Sequence, residues 1–367
     1  MADTPPVAQR NLVVCLDGTR NEPENGCTNV VRIFDMAVKD ESQVVYYDPG
    51  VGTMGARSAT TRAGKFLTQS FGSLLGHGIK DNIEEAYKFL MQSYRANDRI
   101  FVFGFSRGAY TALALAGMLR TVGLLRPHLD NLIPYAIDMY AQAGGYERNP
   151  DGSMTPEERK FWDERKEFNE TFGNPDFPNR FDKKTRLVHF LGIWDTVKTV
   201  GWLNLPIRLQ EAQWPFTRNV SGVANARQAL AIDEDRRPYG DYALNLDPED
   251  KPERARQMWF AGVHSDVGGF YEDDHKLSDI ALQWIAEEAI EKELRVDEAR
   301  FEFHVGVPRG GQLPDEPLGE IHYHPWYWYV PGRRRRAIPP GHEVHPSVLK
   351  RVELTAGTPD AYEVDIP

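Results

Sequence analysis

Gly104-Phe105-Ser106-Arg107-Gly108 sets a serine between two glycines at a spacing that suits one chemistry, a hydroxyl nucleophile on a sharp turn between a strand and a helix. Such a turn brings the backbone two residues before and after the serine into close approach, so Gly104 and Gly108 satisfy a steric demand, and Ala109 keeps the next position small. A serine hydroxyl needs a base, and the base needs an acid to orient it. Two residues stand at the ends of later apolar runs in the order this chemistry uses. Asp195 closes LVHFLGIWD and His264 closes QMWFAGVH. Their plainer readings are a helix cap for Ser106, a turn with Thr196 for Asp195 and a packed loop histidine for His264. Asp266 is the rival acid, although its expected work is to tie down the Gly268-Gly269 loop. Among competing histidines, His189 lies inside a strand run, His77 precedes the nucleophile, and His322 and His324 lie in an aromatic stretch near the end of the chain.

The same chemistry requires amide donors for a developing oxyanion. The N–H of Arg107, at the start of the following helix, is one expected donor. The second is expected from the loop after an earlier strand, where LDGTRN offers Gly18 or Thr19, with Asp17 bracing the loop. Asp17-Gly18-Thr19 also resembles the D-x-D-G-T signature of haloacid-dehalogenase-type phosphatases, but Cys15 stands where their nucleophilic aspartate would be. Asp17, Asp48 and the cluster Glu272-Asp273-Asp274-His275 could be imagined on a metal. The cluster lacks the alternating oxygen spacing of a calcium loop and reads as a solvated acidic turn. No metal and no cofactor is expected.

These residues need a scaffold that carries them to one edge. NLVVCLDGT, QVVYYDPG and DRIFVFGFS are short apolar runs closed by turns, and TNVVRIFDMAVK, GHGIKDNIEEAYKFLMQSYR and RGAYTALALAGMLRTVG between and after them have helical spacing. Alternation of this kind implies an α/β fold with a mostly parallel central sheet flanked by helices. From 127 to 185 the pattern breaks into a cap-like insertion around one charged helix, PEERKFWDERKEF. It resumes with the run at 186–197, a helix expected over 219–232, the run at 256–270 and an amphipathic helix at 277–294. A Pro-, Gly- and aromatic-rich segment, 305–346, contains Trp326, Tyr327, Trp328 and Tyr329. The 127–185 insertion and this segment are expected to wall an apolar acyl pocket, with a packed aromatic core patch as the equal alternative for the segment. With no repeat and no linker, residues 1–367 read as a single domain.

The chain has 367 residues, is 41% hydrophobic and 26% charged, and carries a net charge of −11. That balance argues against nucleic acid as a partner. Arg333-Arg334-Arg335-Arg336 is the local exception and reads as a solvated loop, with contact to an anionic surface as the second reading. Cys15 and Cys27 are too few for a disulfide framework. No stretch reaches the roughly 18 apolar residues of a membrane span, which leaves peripheral contact as the form of membrane association to expect. The first ten residues hold no secretory leader, so a cytoplasmic protein is expected, with export as an effector left open. Oligomeric state is not readable.

Taken together, LDGTRNE, TNVVRIF, YYDPGVGT, GHGIKDNIEEAYKFL, FVFGFSRGAYTA, LGIWDTV, ARQALAIDEDR, WFAGVHSDVGGFY and HPSVLKR, in that order from residue 12 to about 350, resemble the α/β-hydrolase-domain family that includes the first class of type VI secretion phospholipase effectors. The resemblance implies an α/β-hydrolase fold, with the Ser-Asp-His triad falling on Ser106, Asp195 and His264. It also implies cleavage of carboxylic esters, with an ester or phospholipid as substrate. A hydrolase fold that has lost its chemistry and serves as a binding or scaffold protein is the alternative.

Overall fold

Strands buried on both faces read as unbroken apolar runs, and β1 (Asn11–Leu16) is buried at every position. A computed structural model describes residues 9–18, 27–50, 73–143, 149, 151–180, 182, 184–198, 214–240, 242–246, 253–313, 316–324, 329 and 332–366, without the side chains of 73–77, 238 and 316. After β1 come α1 (Asn29–Met36), β2 (Gln43–Asp48), α2 (Ser73–Ser93), β3 (Arg99–Phe105) and α3 (Arg107–Val122). The segment that follows carries α4 (Ile133–Ala141) and α5 (Pro156–Phe172), and leads to β4 (Val188–Trp194), β5 (Val223–Ala231) and β6 (Ala255–Phe260). The chain continues through α6 (His264–Gly268), α7 (Lys276–Glu291), α8 (Glu298–Val305), β7 (Glu343–Val344) and α9 (Pro346–Thr355). Helix starts follow local chemistry. Thr28 caps α1 by accepting from the N–H of Val31, and Thr155 caps α5, with Pro156 in the first turn and Glu157 and Glu158 at the positive end of the helix dipole.

The strands form a seven-stranded sheet in the order β2-β1-β3-β4-β5-β6-β7, and each neighbouring pair runs parallel. This is the expected α/β class. The side-chain period of two sends Leu12, Val14 and Leu16 into the layer shared with α2 and α3, and Val13 and Cys15 into the layer shared with α1, α7 and α8. β2 lies on one side of β1 and β3 on the other, so the chain changes direction across the sheet between β1 and β3. At such a switch point a crevice opens beyond the carboxyl ends of the strands. The residues following β1 and β3 are those of the Asp17-Gly18 loop and Ser106.

One expectation was wrong. The stretch 219–232 is not helical but contains β5, a central strand bonded to β4 on one side and β6 on the other. Its alanines favour helix locally, and burial between two strands overrides them. Arg227 and Gln228 disguise it further. The Gln228 amide donates to Thr196 Oγ1 and the carbonyl of Tyr242, and Arg227 pairs with Glu288 on α7 at 2.7 Å. Both cysteines are free thiols, and burial pushes the Cys15 thiol well up. No helix among the described residues is long and apolar enough to cross a membrane.

Arg227 and Arg256, on adjacent strands, share Glu288, and the Arg227 side chain is 3% exposed. Removing the carboxylate strands a buried guanidinium. Glu288→Ala is expected to lower unfolding stability by about 3 kcal/mol. Urea denaturation reads this directly, and a loss below about 1 kcal/mol would show that the pair does not hold α7 to the sheet.

Candidate active site

At the end of β3 the backbone turns sharply into α3. Ser106 sits in that turn at φ 58°, ψ −120°, a region costly for any residue with a Cβ. The end of β4, the residues just past it and the first turn of α3 hold it there. The Ser106 N–H donates to the carbonyl of Trp194 (3.1 Å), and its own carbonyl accepts from Val197 (3.2 Å) and Tyr110 (3.3 Å). A Cβ on Gly104 would lie 2.6 Å from the carbonyl oxygen of Gly108, and one on Gly108 would lie 2.0 Å from that of Leu16. Both glycines are therefore fixed by close approach, the second because α3 begins flush against the end of β1. Ser106 occupies the N-cap position of α3 but makes no side-chain capping bond.

Its hydroxyl instead lies 2.9 Å from Nε2 of His264, the first residue of α6. On the other side of the ring, Nδ1 donates to Asp195 Oδ2 at 2.6 Å. The carboxylate fixes the tautomer, leaving Nε2 to accept from Ser106. Phe105 packs against the imidazole at 4.6 Å between centroids, and Tyr239 meets it edge-on at 5.1 Å. Burial is the main influence on His264 and pushes its pKa below the usual 6.5, against the opposing pull of Asp195. Asp195 is fully buried, which alone would raise its carboxyl. The Arg336 guanidinium and His264 outweigh burial and hold it below the usual carboxylate range. A neutral imidazole between a hydroxyl and an anionic carboxylate can take a proton from the hydroxyl and return it.

The remaining expected residues are distributed as follows. Arg107 opens α3 directly after Ser106. The Gly18 N–H donates to Asp17 Oδ1 (2.7 Å), while Asp17 Oδ2 accepts from Thr28 (2.6 Å) and Tyr47 (3.0 Å), so Asp17 braces the loop after β1. Thr19, Trp326, Tyr327, Trp328 and the side chain of His77 lie outside the described residues. Asp266 does not reach His264. It accepts from the N–H of Val263 and pairs with Nδ1 of His322 at 2.6 Å. His189 bonds the carbonyl of Lys292, and His324 faces Glu234 at 3.7 Å. In the acidic turn, His275 is engaged by Asp279 at 2.7 Å.

Three residues at the site went unassigned in the sequence. Glu234 is buried, takes both the Arg236 fork (2.8 and 2.7 Å) and the backbone N–H of His264 (3.2 Å), and is held well below the usual carboxylate range because Arg236 outweighs burial. These two belong to the stretch ARQALAIDEDR, whose charged end was visible, but nothing local marked the pair as facing His264. Arg336 corrects a stated expectation. Arg333, Arg334 and Arg335 are exposed, as a solvated loop requires, but the Arg336 side chain is 2% exposed and sits on Asp195. Position in a run of identical residues carries no signal for which one turns inward.

Residues 10–288 match a family model described as the catalytic domain of Tle1-like phospholipase effectors of type VI secretion. Over 235 residues the chain is 31% identical to an uncharacterized protein of Saccharomyces cerevisiae, covering 62% of this chain and 31% of that relative. It thus spans under a third of that relative's length. Among solved structures, an uncharacterized protein from Pseudomonas aeruginosa aligns over 84% of this chain and 48% of its own, at 18% identity and a TM-score of 0.43. A Tle1 effector bound to the VgrG spike of the type 6 secretion system aligns over 72% and 52%, at 19% identity and a TM-score of 0.35.

Backbone strain at Ser106 makes a prediction independent of any reaction. Glycine adopts φ 58°, ψ −120° without a Cβ clash, whereas alanine keeps the clash. Ser106→Gly is expected to be more stable than Ser106→Ala by about 1 kcal/mol or more. Equal midpoints in thermal unfolding would mean that the turn is not strained.

Proposed function

Because the chain belongs to the family of Tle1-like phospholipase effector catalytic domains of type VI secretion, we propose that it is a serine hydrolase cleaving carboxylic esters of lipids, phospholipid acyl esters among them. The observation that carries this reading is the hydrogen-bonded line from Ser106 Oγ through the His264 ring to Asp195, at 2.9 and 2.6 Å. Ser106 Oγ attacks the ester carbonyl while His264 Nε2 takes the hydroxyl proton. Asp195 stabilises the imidazolium that results. The tetrahedral oxyanion rests on the N–H of Arg107 and a donor from the loop after β1. With Gly18 bonded to Asp17, Thr19 is the proposed second donor.

Collapse of the intermediate breaks the ester C–O bond, and His264 returns the proton to the departing alkoxide. An acyl group is then left on Ser106. Water, deprotonated by His264, attacks the acyl carbonyl and releases the carboxylic acid and the free serine. The acyl chain is proposed to be covered by the 127–185 segment, which packs beside α3 through a buried aromatic cluster. Tyr110 of α3 meets Tyr242 edge-on at 5.7 Å and its hydroxyl accepts from the N–H of Trp214, whose ring stacks on Tyr140. Tyr140 belongs to the 127–185 segment, which is proposed to act as a cap.

A fluorophosphonate serine probe is expected to label the wild-type protein and not Ser106→Ala. Absence of labelling in folded wild type would favour a binding or scaffold role. On a panel running from short p-nitrophenyl esters to phosphatidylethanolamine vesicles, Ser106→Ala and Asp195→Asn are each expected to lose about 10⁴-fold in kcat. Asp266→Asn should be much milder, and a reversal between the two aspartates would identify Asp266 as the acid. Because His264 must be neutral to accept the proton and its pKa lies below 6.5, kcat/KM should be flat above neutrality. It should fall only as pH drops through a midpoint below 6.5. A midpoint above 7 would show that Asp195 outweighs burial at the His264 ring.

A further inference from the structure

Arg336 lies 48 residues beyond the last position matched by the family model, residue 288, and yet its guanidinium reaches the centre of the site. Arginine has five N–H donors in a rigid fork, and here they find acceptors on one carboxylate and two backbone carbonyls. Nη1 donates to Asp195 Oδ1 (2.5 Å) and the Ala231 carbonyl (2.9 Å). Nη2 donates to Asp195 Oδ2 (3.1 Å) and the Tyr239 carbonyl (2.7 Å), and Nε donates to the same Tyr239 oxygen (3.3 Å). A buried guanidinium is tolerated only with this degree of satisfaction. Each oxygen of Asp195 then has two donors. Oδ1 takes Arg336 and the N–H of Ala231 (3.0 Å), and Oδ2 takes Arg336 and the Nδ1–H of His264.

We propose that Arg336 is a positioning residue for the triad, its fork fixing the Asp195 carboxylate so that Oδ2 faces His264 and keeping that carboxylate charged. This rests on the serine-hydrolase reading above. The carboxylate has a single rotation about its last bond, and a two-pronged donor from outside removes that freedom. A lysine would supply charge without the fork. Arg336 also places a cation behind the acid, which opposes protonation of the ring beyond it. The groups facing His264 are Ser106 Oγ, the rings of Phe105 and Tyr239, Asp195, and the Glu234–Arg236 pair beneath its backbone. Arg336 and Arg236 are the cations that balance the two carboxylates around the ring. Without Arg336 the Asp195–His264 pair carries an uncompensated negative charge and takes up a proton at higher pH, whichever of the two groups holds it.

The test combines two substitutions and two readouts. Arg336→Gln should lower the plateau of kcat/KM by about 10²-fold through loss of orientation, and move its acid limb up by about one pH unit or more. Arg336→Lys, which retains the charge without the fork, should lower kcat/KM about tenfold and leave the acid limb within a few tenths of a unit of wild type. A merely structural arginine would lower activity or thermal stability with the limb unmoved in Arg336→Gln, and that result overturns the proposal. If Arg336→Gln does not fold, Arg336→Lys decides, and unchanged kcat/KM in that variant overturns it equally. The second readout needs no turnover. NMR titration of His264 in a Ser106→Ala background should show the same upward displacement on adding Arg336→Gln, and no displacement refutes the proposal even if no ester is ever cleaved. Failure of the hydrolase reading itself would appear separately, as wild-type protein without probe labelling or esterase turnover.

Discussion

A fully buried carboxylate organises the carboxyl edge of this sheet. Left without partners, Asp195 would be driven to the neutral acid, because the cost of desolvating an isolated charge exceeds what a fold of this size can supply. The protein instead surrounds it with the N–H of Ala231, the Nδ1–H of His264 and the fork of Arg336. Attraction wins over desolvation, and the carboxyl is held below its usual range. Those donors come from the end of β5, the start of α6 and a segment far along the chain. Satisfying one charge therefore dictates where three separate pieces of backbone must meet.

A second constraint, purely steric, operates one strand away. Ser106 is held at an unfavourable φ and ψ because its N–H is bonded to the end of β4 and its carbonyl to Val197, just beyond that strand. The turn can be this tight only because Gly104 and Gly108 present no side chain to the backbone they approach. Strain of about 1–3 kcal/mol at one residue is small beside the burial of β1, β3 and β4 on both faces. The same crowding that strains the turn also aims the hydroxyl at His264 instead of at the amides of its own helix. Electrostatics places Asp195 and His264, and sterics aims the Ser106 hydroxyl at the imidazole.

Legibility in the sequence followed this division. β1 and β3 were readable because strands buried on both faces must be continuously apolar, and the glycine pair around Ser106 was readable because a steric demand leaves few alternatives. Ser106, Asp195 and His264 were picked out by order and by position at the ends of apolar runs, and these are the side chains that the fold brings within hydrogen-bond distance of one another. β5 is hidden in the sequence because its alanines, arginine and glutamine have no strand signature until their partners on α7 and the 242–246 segment are known. Arg336 is hidden for a related reason. Among four consecutive arginines only the distance to a buried carboxylate distinguishes the last, and that distance is a property of the tertiary structure. What a residue must avoid is written locally, but the partner it must find is not.

The acidic character of the chain gives the late segment its place in the fold. Asp195, Asp233, Glu234, Asp235 and Asp266 crowd the ends of β4, β5 and β6, next to Ser106, which on the proposed reading passes negative charge to a bound ester. Unscreened, such a cluster would oppose the development of an oxyanion there. The segment after α8 answers most of these acids. Arg333 pairs with Asp235, Arg336 with Asp195 and His322 with Asp266, while the hydroxyl of Tyr362 reaches Asp233. Glu234 is met from within its own loop by Arg236. β7 then adds itself to β6 and fixes the register of this segment against the sheet. An edge that gathers carboxylates needs cations to offset them, and Arg333 and Arg336 of the arginine run supply part of that charge.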